Sequence, residues 1–410
     1  MSFFFSRDTK VFMKFHASAD GTDDALYEIP VLDGFSFSQA TNSTEVTLNE
    51  AADSSGNSKR GRAMFNDSFA PAEWSFSTYM RPSVSDSSDT YTIASGEGSH
   101  AGNAKKFAVE GPLWAAMSAT TYNLGVGGTG APTLNTFEPN SFNFQNSNKV
   151  ALGVFDLFFV LGASKDTDGT YTSGSGGVMI YKLESCSIGS ASIDFDIEGI
   201  AQVAWSGNGK LITEQATLNT AAGQASTKGL INEGISSTTN FIRQKLTDLA
   251  IAYDASESTG DTTGIGSSDI TYSLTLTGGN ITIENNLTYL TPESLGTVNQ
   301  PLGHVMGTRS VSGNFTCYLN DVSNGSADLF ENLVESTGLI TNAFALTFGI
   351  GGSGNTPSVD VAIPKAHLEL PSHSIDDVIG IEVNFHGLSS DLSSATASSS
   401  ANEVSITYDA

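Results

Sequence analysis

The C-terminal part of this 410-residue chain repeats, in degenerate form, the order of short segments in its N-terminal part. The run Leu26–Gly34 followed by Phe35-Ser-Phe-Ser-Gln39 reads like Ile270–Gly279 followed by Ile281-Thr-Ile-Glu-Asn285: two alternating apolar runs broken by a glycine turn. Phe76-Ser-Thr-Tyr79-Met80 has its echo in Phe315-Thr-Cys-Tyr318-Leu319, each after a cationic segment (Arg60 and Arg62, then Arg309). Near the end of each copy, Ser192-Ile193-Asp194 through Gly199-Ile200 to Trp205 and Gly207 matches Ser374-Ile375-Asp376 through Gly380-Ile381 to Phe385 and Gly387. Alternation of period two marks strands. Two copies of one β-rich unit in a single chain point to a protein that builds a ring or array.

The polar residues are chiefly Gly, Ser, Thr and Asn, and only 15% of the chain is charged. That is the chemistry of sheets and turns rather than of long salt-bridged helices. The formal net charge is −26, and it is lopsided: residues 240–410 hold 19 acidic and 4 basic side chains, against 25 and 14 in residues 1–239. Affinity for a nucleic-acid backbone comes from neutralising phosphates with Lys and Arg. Stable nucleic-acid binding is therefore excluded, and the acidity serves either solubility or the passage of DNA without adhesion. No apolar run approaches the ~18 residues of a membrane span, and Met1–Arg7 is too short for a secretory signal. Cys186 and Cys317 sit at non-equivalent places in the two copies, so reduced thiols are expected.

Along the chain, the alternation predicts strands at Lys10–Ala17, Leu26–Leu32, a long Phe35–Leu48, Ala72–Tyr79, the continuous apolar run Val150–Leu161, Gly177–Ile188 and Ser192–Trp205. The stretches 83–103 and 120–148 read as insertions and residues 207–239 as a linker. The second copy opens with Phe241–Tyr253. A helix is expected at Ser326–Glu335, with Ser326 as N-cap, Asp328 in the first turn, and Leu329, Leu333 and Val334 on one face. Ala104–Ala119 holds the corresponding place in the first copy, with helix-compatible spacing split by Gly111-Pro112. The fold class is mainly β (α+β): two tandem β-barrel or sandwich domains, 1–206 and 240–410, each with one flanking helix.

Signals for chemistry are weak. Gly125-Val-Gly-Gly-Thr-Gly130 lacks the Lys-Ser/Thr and the strand-to-helix setting of a phosphate loop. Asp166-Thr-Asp-Gly169 begins like a calcium loop, but its twelfth position falls on Gly177. The histidines lie in no zinc-like spacing and no nucleophile elbow is present. No enzyme, cofactor or metal site is expected.

The run Leu274–His304 continuing to Gly307–Asn320, with Phe241–Asp248 upstream and the helix at Ser326–Glu335 downstream, resembles the tail tube (major tail) protein of tailed bacteriophages. Gly34–Glu45 and Arg62–Arg81 are similar in kind, while the long first-copy excursions depart from the pattern. The resemblance implies a tube domain whose sheets join neighbours around a ring, rings stacked into a hollow tube, and a genome leaving through the lumen. It implies a duplicated-domain type forming trimers of pseudo-hexameric shape in the virion tail, assembled in the host bacterial cytoplasm. The implied partners are further copies of the chain and the tape measure, terminator and distal tail proteins, with or without a sheath. Two other classes fit the residues: a terminator or distal hub ring, and a carbohydrate-binding β-sandwich adhesin.

Two groups of site residues follow. In Ile193-Asp-Phe-Asp-Ile-Glu198 the period of two puts Asp194, Asp196 and Glu198 on one face and Ile193, Phe195 and Ile197 on the other, which should pack into the core. The carboxylate face must be wet, as a channel wall or as an ordinary outer face; Asp376, Glu382 and Glu284 are second-copy candidates. Lys59, Arg60 and Arg62 form the compact cationic cluster of an acidic chain. They follow a polar stretch that either projects to the next ring or is freely solvated.

Overall fold

The computed structural model describes residues 4–15, 25–46, 54–56, 63–85, 105–118, 141–145, 152–162, 169–220, 241–255, 268–295, 298–335, 344–355, 357–375, 378–389 and 402–409. The first half holds β1 (Lys10–Phe15), β2 (Ala25–Ile29), β3 (Ser36–Ser38), β4 (Thr41–Val46), β5 (Ala63–Phe69) and β6 (Ala72–Tyr79). Then come β7 (Pro82–Ser85), β8 (Lys105–Ala108), helix α1 (Gly111–Ser118), β9 (Ser141–Gln145), β10 (Phe155–Leu161) and β11 (Thr170–Thr172). It ends with β12 (Met179–Asp196), β13 (Gln202–Gly209), β14 (Leu211–Glu214) and β15 (Thr217–Asn219). The second half runs through β16 (Asp248–Tyr253), β17 (Ile270–Leu274), β18 (Leu276–Glu284), β19 (Leu287–Leu290), β20 (Gly303–Met306) and β21 (Ser310–Tyr318). Helix α2 (Ser326–Glu335), β22 (Phe344–Ile350), β23 (Ser358–Leu368), β24 (Ser372–Ile375), β25 (Ile379–Gly387) and β26 (Asn402–Asp409) complete it. The protein is mainly β, and its described pairings between strands are antiparallel ladders.

One pairing scheme occurs in both halves. In the first, β1 pairs β2 and β10, β10 pairs β12, β12 pairs β13 and β14, β13 pairs β6, and β6 pairs β3. In the second, β16 pairs β17 and β22, β22 pairs β23, β23 pairs β25 and β26, β25 pairs β21, and β21 pairs β18. The hairpin β4–β5 has its like in β19–β20, and a single 3-10 turn precedes both β1 and β16.

The halves share one sheet. Residues 190–196 of β12 pair with residues 278–284 of β18, and β9 pairs with β26. The result is a continuous order β3-β6-β13-β12-β18-β21-β25-β24. The expected boundary at 206 falls inside β13, and the expected linker begins with structured chain, since β14 and β15 occupy part of 207–219; residues 221–240 lie outside the described residues.

Long strands make this possible by serving two sheets. The first part of β12, to Cys186, pairs with β10 and β14, and the rest with β13 and β18. At the junction Ser185 takes a left-handed φ of 51°, and its N–H is held by Asp156 Oδ1 at 2.9 Å. The expected break between 188 and 192 is instead a register shift within one strand, and the reversal comes at Gly199, φ 114°. In β23 the change of partner falls around Pro364, which has no N–H to give a ladder.

The expected long strand Phe35–Leu48 is two strands, β3 and β4. At the break the Gln39 amide donates to Ala70 O (2.9 Å) and accepts from Ile212 N–H (3.0 Å), satisfying backbone groups where the chain leaves the sheet. Gly111-Pro112 begins α1 rather than splitting it, because a proline in the first turn forfeits only an N–H that has no helical partner. This helix is buried on every side, as its sequence, apolar except for Ser118, requires. In α2, Asp328 accepts from Asn324 N–H at 2.7 Å, while Ser326 Oγ bonds Tyr318 O and Asn320 N–H and so ties the helix to β21 rather than capping it. Leu329 and Leu333 face inward; Val334 does not.

One core cluster draws on both halves, including Trp74, Trp114, Trp205, Phe195, Phe315, Phe348 and Phe385. Three aromatic rings lie over glycines of the neighbouring strand: Trp74 opposite Gly207, Phe195 opposite Gly279 and Phe385 opposite Gly313. A Cβ on Gly313 would stand 2.0 Å from Asn280 O and 2.7 Å from the Phe385 ring. Gly313→Ala is therefore expected to cost about 1–3 kcal/mol through overpacking, read as a lowered thermal midpoint. An unchanged midpoint would show that both the Asn280 backbone and the Phe385 ring give way.

Candidate functional site

Antiparallel partners project to the same side of a sheet. In the eight-strand order from β3 to β24, one side therefore collects every second residue. Its core side is Phe37, Trp74, Phe76, Trp205, Val203, Ile193, Phe195, Ile281, Ile283, Val311, Phe315, Val383 and Phe385, all buried except the half-buried Phe37. The other side carries Glu73, Asp194, Asp196, Glu284 and Glu382 among serines, threonines and asparagines. These eight strands contain no Lys or Arg between residues 187 and 196 of β12 or anywhere in the others.

The registers give continuous rows across the seam between the halves. Asp194 faces Asn280, Asn280 faces Asn314, and Asn314 faces Asn384. Asp196, Gly278, Thr316, Glu382 and Ser372 form a second row. Ser36, Ser75, Ser206, Ser190, Glu284 and Ser310 form a third.

Hydrogen bonds run along these rows. Ser190 Oγ and Ser206 Oγ are 2.7 Å apart, as are Asn314 Nδ2 and Glu382 Oε1. Asn280 Nδ2 donates to Asp194 and, at 2.8 Å, to Ser192 Oγ. At the far side His386 and Asn384 bond Glu369 at 3.2 and 3.0 Å, and these bonds hold its carboxyl below the usual range. The amides separate the carboxylates and satisfy them, so the face stays negative and needs no counter-cation from the chain.

Asp194, Asp196, Glu284 and Glu382 thus come together on one exposed face. Glu198 does not: it lies in the β12–β13 turn, and Ile197, expected in the core, is 49% exposed, because the alternation stops with the ladder at Asp196. Asp376 lies outside the described residues, as do Lys59, Arg60 and Arg62, between β4 and β5. Gly125–Gly130 and Asp166–Asp168 are outside them too. Glu73 and the asparagine row were missed, although the strict alternation of Ile379-Gly-Ile-Glu-Val-Asn-Phe-His386 holds that signal.

The seam is fastened on the opposite edge of the face. The fully buried Asn285 donates toward Ile188 O (3.2 Å) and Met117 O (3.3 Å) and accepts from Arg309 Nε (3.1 Å). Tyr289 Oη sits 2.9 Å from Asn208 O, and His304 Nδ1 3.1 Å from Ser187 Oγ, so the β19–β20 hairpin is anchored on the first half. Burial lowers the His304 pKa and raises those of both cysteine thiols, which are unbridged. Among the described residues no group of three or more His, Cys, Asp or Glu is placed to hold a metal, and no helix is long and apolar enough to cross a membrane.

No family model matches the chain. It is 31% identical over 399 residues to the tail tube protein pb6 of Escherichia phage T5, an alignment that covers 96% of this chain and 74% of that protein.

Proposed function

The chain belongs to the bacteriophage tail tube protein family, and from that premise we propose that three copies close into a ring of six similar units. Such rings stack into a hollow tube, and the carboxylate face lines the lumen through which DNA passes. The protein is a structural component of the virion tail. What carries the trimer reading is the pairing scheme that occurs twice in one chain, joined by the β12–β18 seam. A lumen wall that exposes carboxylates, hydroxyls and amides without cations repels phosphates and gives them nothing to bind. Tape measure, terminator and distal tail proteins are the partners this role requires.

Purified protein is expected to form trimers of the 42.8 kDa chain that stack into tubes under electron microscopy, with pseudo-sixfold end views. A ring of six chains, or a stable monomer at high concentration, would overturn this. Long tubes also separate the reading from a terminator or hub, which makes single rings, and from a monomeric adhesin.

Stacking places the hairpin end of one ring on the opposite end of the next. The β4–β5 hairpin leaves the sheet between β3 and β6 and the β19–β20 hairpin between β18 and β21, and together they expose Met64, Phe65, Leu290, Leu302 and Val305. The turns at the other end expose Ile197, Ile200, Ile375, Val378 and Ile379. An open-ended heterologous contact between such ends grows filaments. Lys59, Arg60 and Arg62 follow β4 and would meet acidic groups of the next ring. Replacing all three by Glu is expected to leave rings intact and prevent tube growth in low salt; unchanged polymerisation would remove them from the contact.

A further inference from the structure

We propose that the buried cluster of Asn285, Arg309 and Glu403 is the positioning element that fixes the angle between the two halves and so restricts ring closure to three chains. The inference rests on the ring reading above and adds what sets the number.

A ladder alone leaves that number open. Strands paired in a sheet twist against each other by roughly −10 to −35°, a spread of about 25° at each junction. Closing a ring of three chains needs a turn of about 120° per chain, and a ring of four about 90°. Each chain brings one junction inside itself and one to its neighbour, so variation in twist spans the difference. The shared apolar core does not remove this freedom, because burial of apolar surface is non-directional. A directional contact away from the ladder does.

The cluster supplies that contact. Asn285 follows the last pair of the seam ladder, Glu284 opposite Ser190, and is fully buried. Its backbone N–H donates to Gly189 O at 2.8 Å, and its Nδ2 donates to Ile188 O and to Met117 O in α1. One side chain of the second half thus grips the strand and the helix of the first. Arg309 Nε donates to Asn285 Oδ1 and so fixes which way the amide points. Arg309 Cζ lies 5.2 Å from the centre of the Phe144 ring on β9, and Nη1 lies 3.7 Å from Glu403 Oε2 on β26. Glu403 turns inward because the β9–β26 register shifts between Asn402 and Val404, which leaves Glu403 and Val404 both buried.

The fold of a single unit does not require this reach. Gln39 follows β3 as Asn285 follows β18, yet its amide bonds stay within its own half, at Ala70, Lys210 and Ile212. Pro71 precedes β6 where Arg309 precedes β21, so the cation has no equivalent there.

The test is the double variant Arg309→Met with Glu403→Leu. Replacing a buried ion pair by apolar residues of similar volume is often neutral for stability, and here it removes the directional contact. The variant is expected to fold with a thermal midpoint near the parent's. Native mass spectrometry and end views under electron microscopy are expected to show the share of open arcs and four-chain rings rising at least about tenfold over the parent's. A cluster that only stabilised the chain would lower the midpoint and leave the chain count alone. Three-chain rings alone from a folded double variant would overturn the proposal and leave the ring reading in place. Where the double variant does not fold, Arg309→Lys decides: it keeps the charge beside Glu403 but loses the Nε donor and the planar ring contact. The same rise is expected from it, and three-chain rings alone would again overturn the proposal. A parent that forms no three-chain rings would remove both readings.

Discussion

Lysines in place of Asp194, Glu284 and Glu382 are expected to leave tubes of normal appearance and to cut DNA delivery by at least about tenfold, because each new cation neutralises phosphate and releases counterions. The three positions lie on separate strands of one exposed face, with their apolar neighbours buried behind them. Substitution there leaves the core untouched. The readout is genome ejection from particles carrying the variant tube, and the loss is expected to shrink as salt rises, since the attraction is electrostatic. Ejection at the normal rate from well-formed tubes would show that this face does not line the channel. Loss of assembly would instead place these carboxylates in a contact between chains.

A second large effect is expected from Glu110→Gln through pH. Glu110 is fully buried at the start of α1, where burial pushes its carboxyl up to about 7. Tyr408 Oη donates to it and accepts from Trp114 Nε1 at 2.7 Å, and Arg81 N–H points at both its oxygens. A raised folded-state pKa means that the folded chain holds this proton more tightly than the unfolded chain. The resulting stability is complete below the unfolded value near 4.5 and is lost as pH rises through about 7. The difference amounts to about 3 kcal/mol. The Gln variant cannot ionise, so its stability relative to the parent is expected to improve by that order between pH 4.5 and 8. Parallel pH profiles for the two proteins would show that the carboxyl titrates normally. Because Tyr408 lies on β26 and Glu110 just before α1, this cluster also joins the two halves of the chain.

Much of the face could be read beforehand where alternation is strict. Asp194 and Asp196 follow from period two, and the same alternation holds Glu382 between Ile381 and Val383, apolar residues that need a core. Glu198 was misplaced for a physical reason: alternation in a sequence continues through a turn, but side-chain direction follows the ladder only as far as the last pairing, at Asp196 opposite Gly278. Gly111-Pro112 was misread because the same dipeptide interrupts a helix or starts one, according to whether the preceding residues find strand partners. Here Lys105–Ala108 pair with β7.

The sequence by itself determined the class, the repeat and the chemistry of the surface: period-two runs require sheets, two similar runs of segments require similar local structure, and a chain with 44 acidic and 18 basic residues must present carboxylates to water. Only the tertiary structure decided that Asp194, Asn280, Asn314 and Asn384 form one row, that β12 serves two sheets, and that β18 joins β12 while β3 stays at an edge. Those relations are registers between strands up to about two hundred residues apart, fixed when both buried faces close on one core. A local pattern is blind to them, because it sets which side of a strand is wet and leaves open which strand lies alongside.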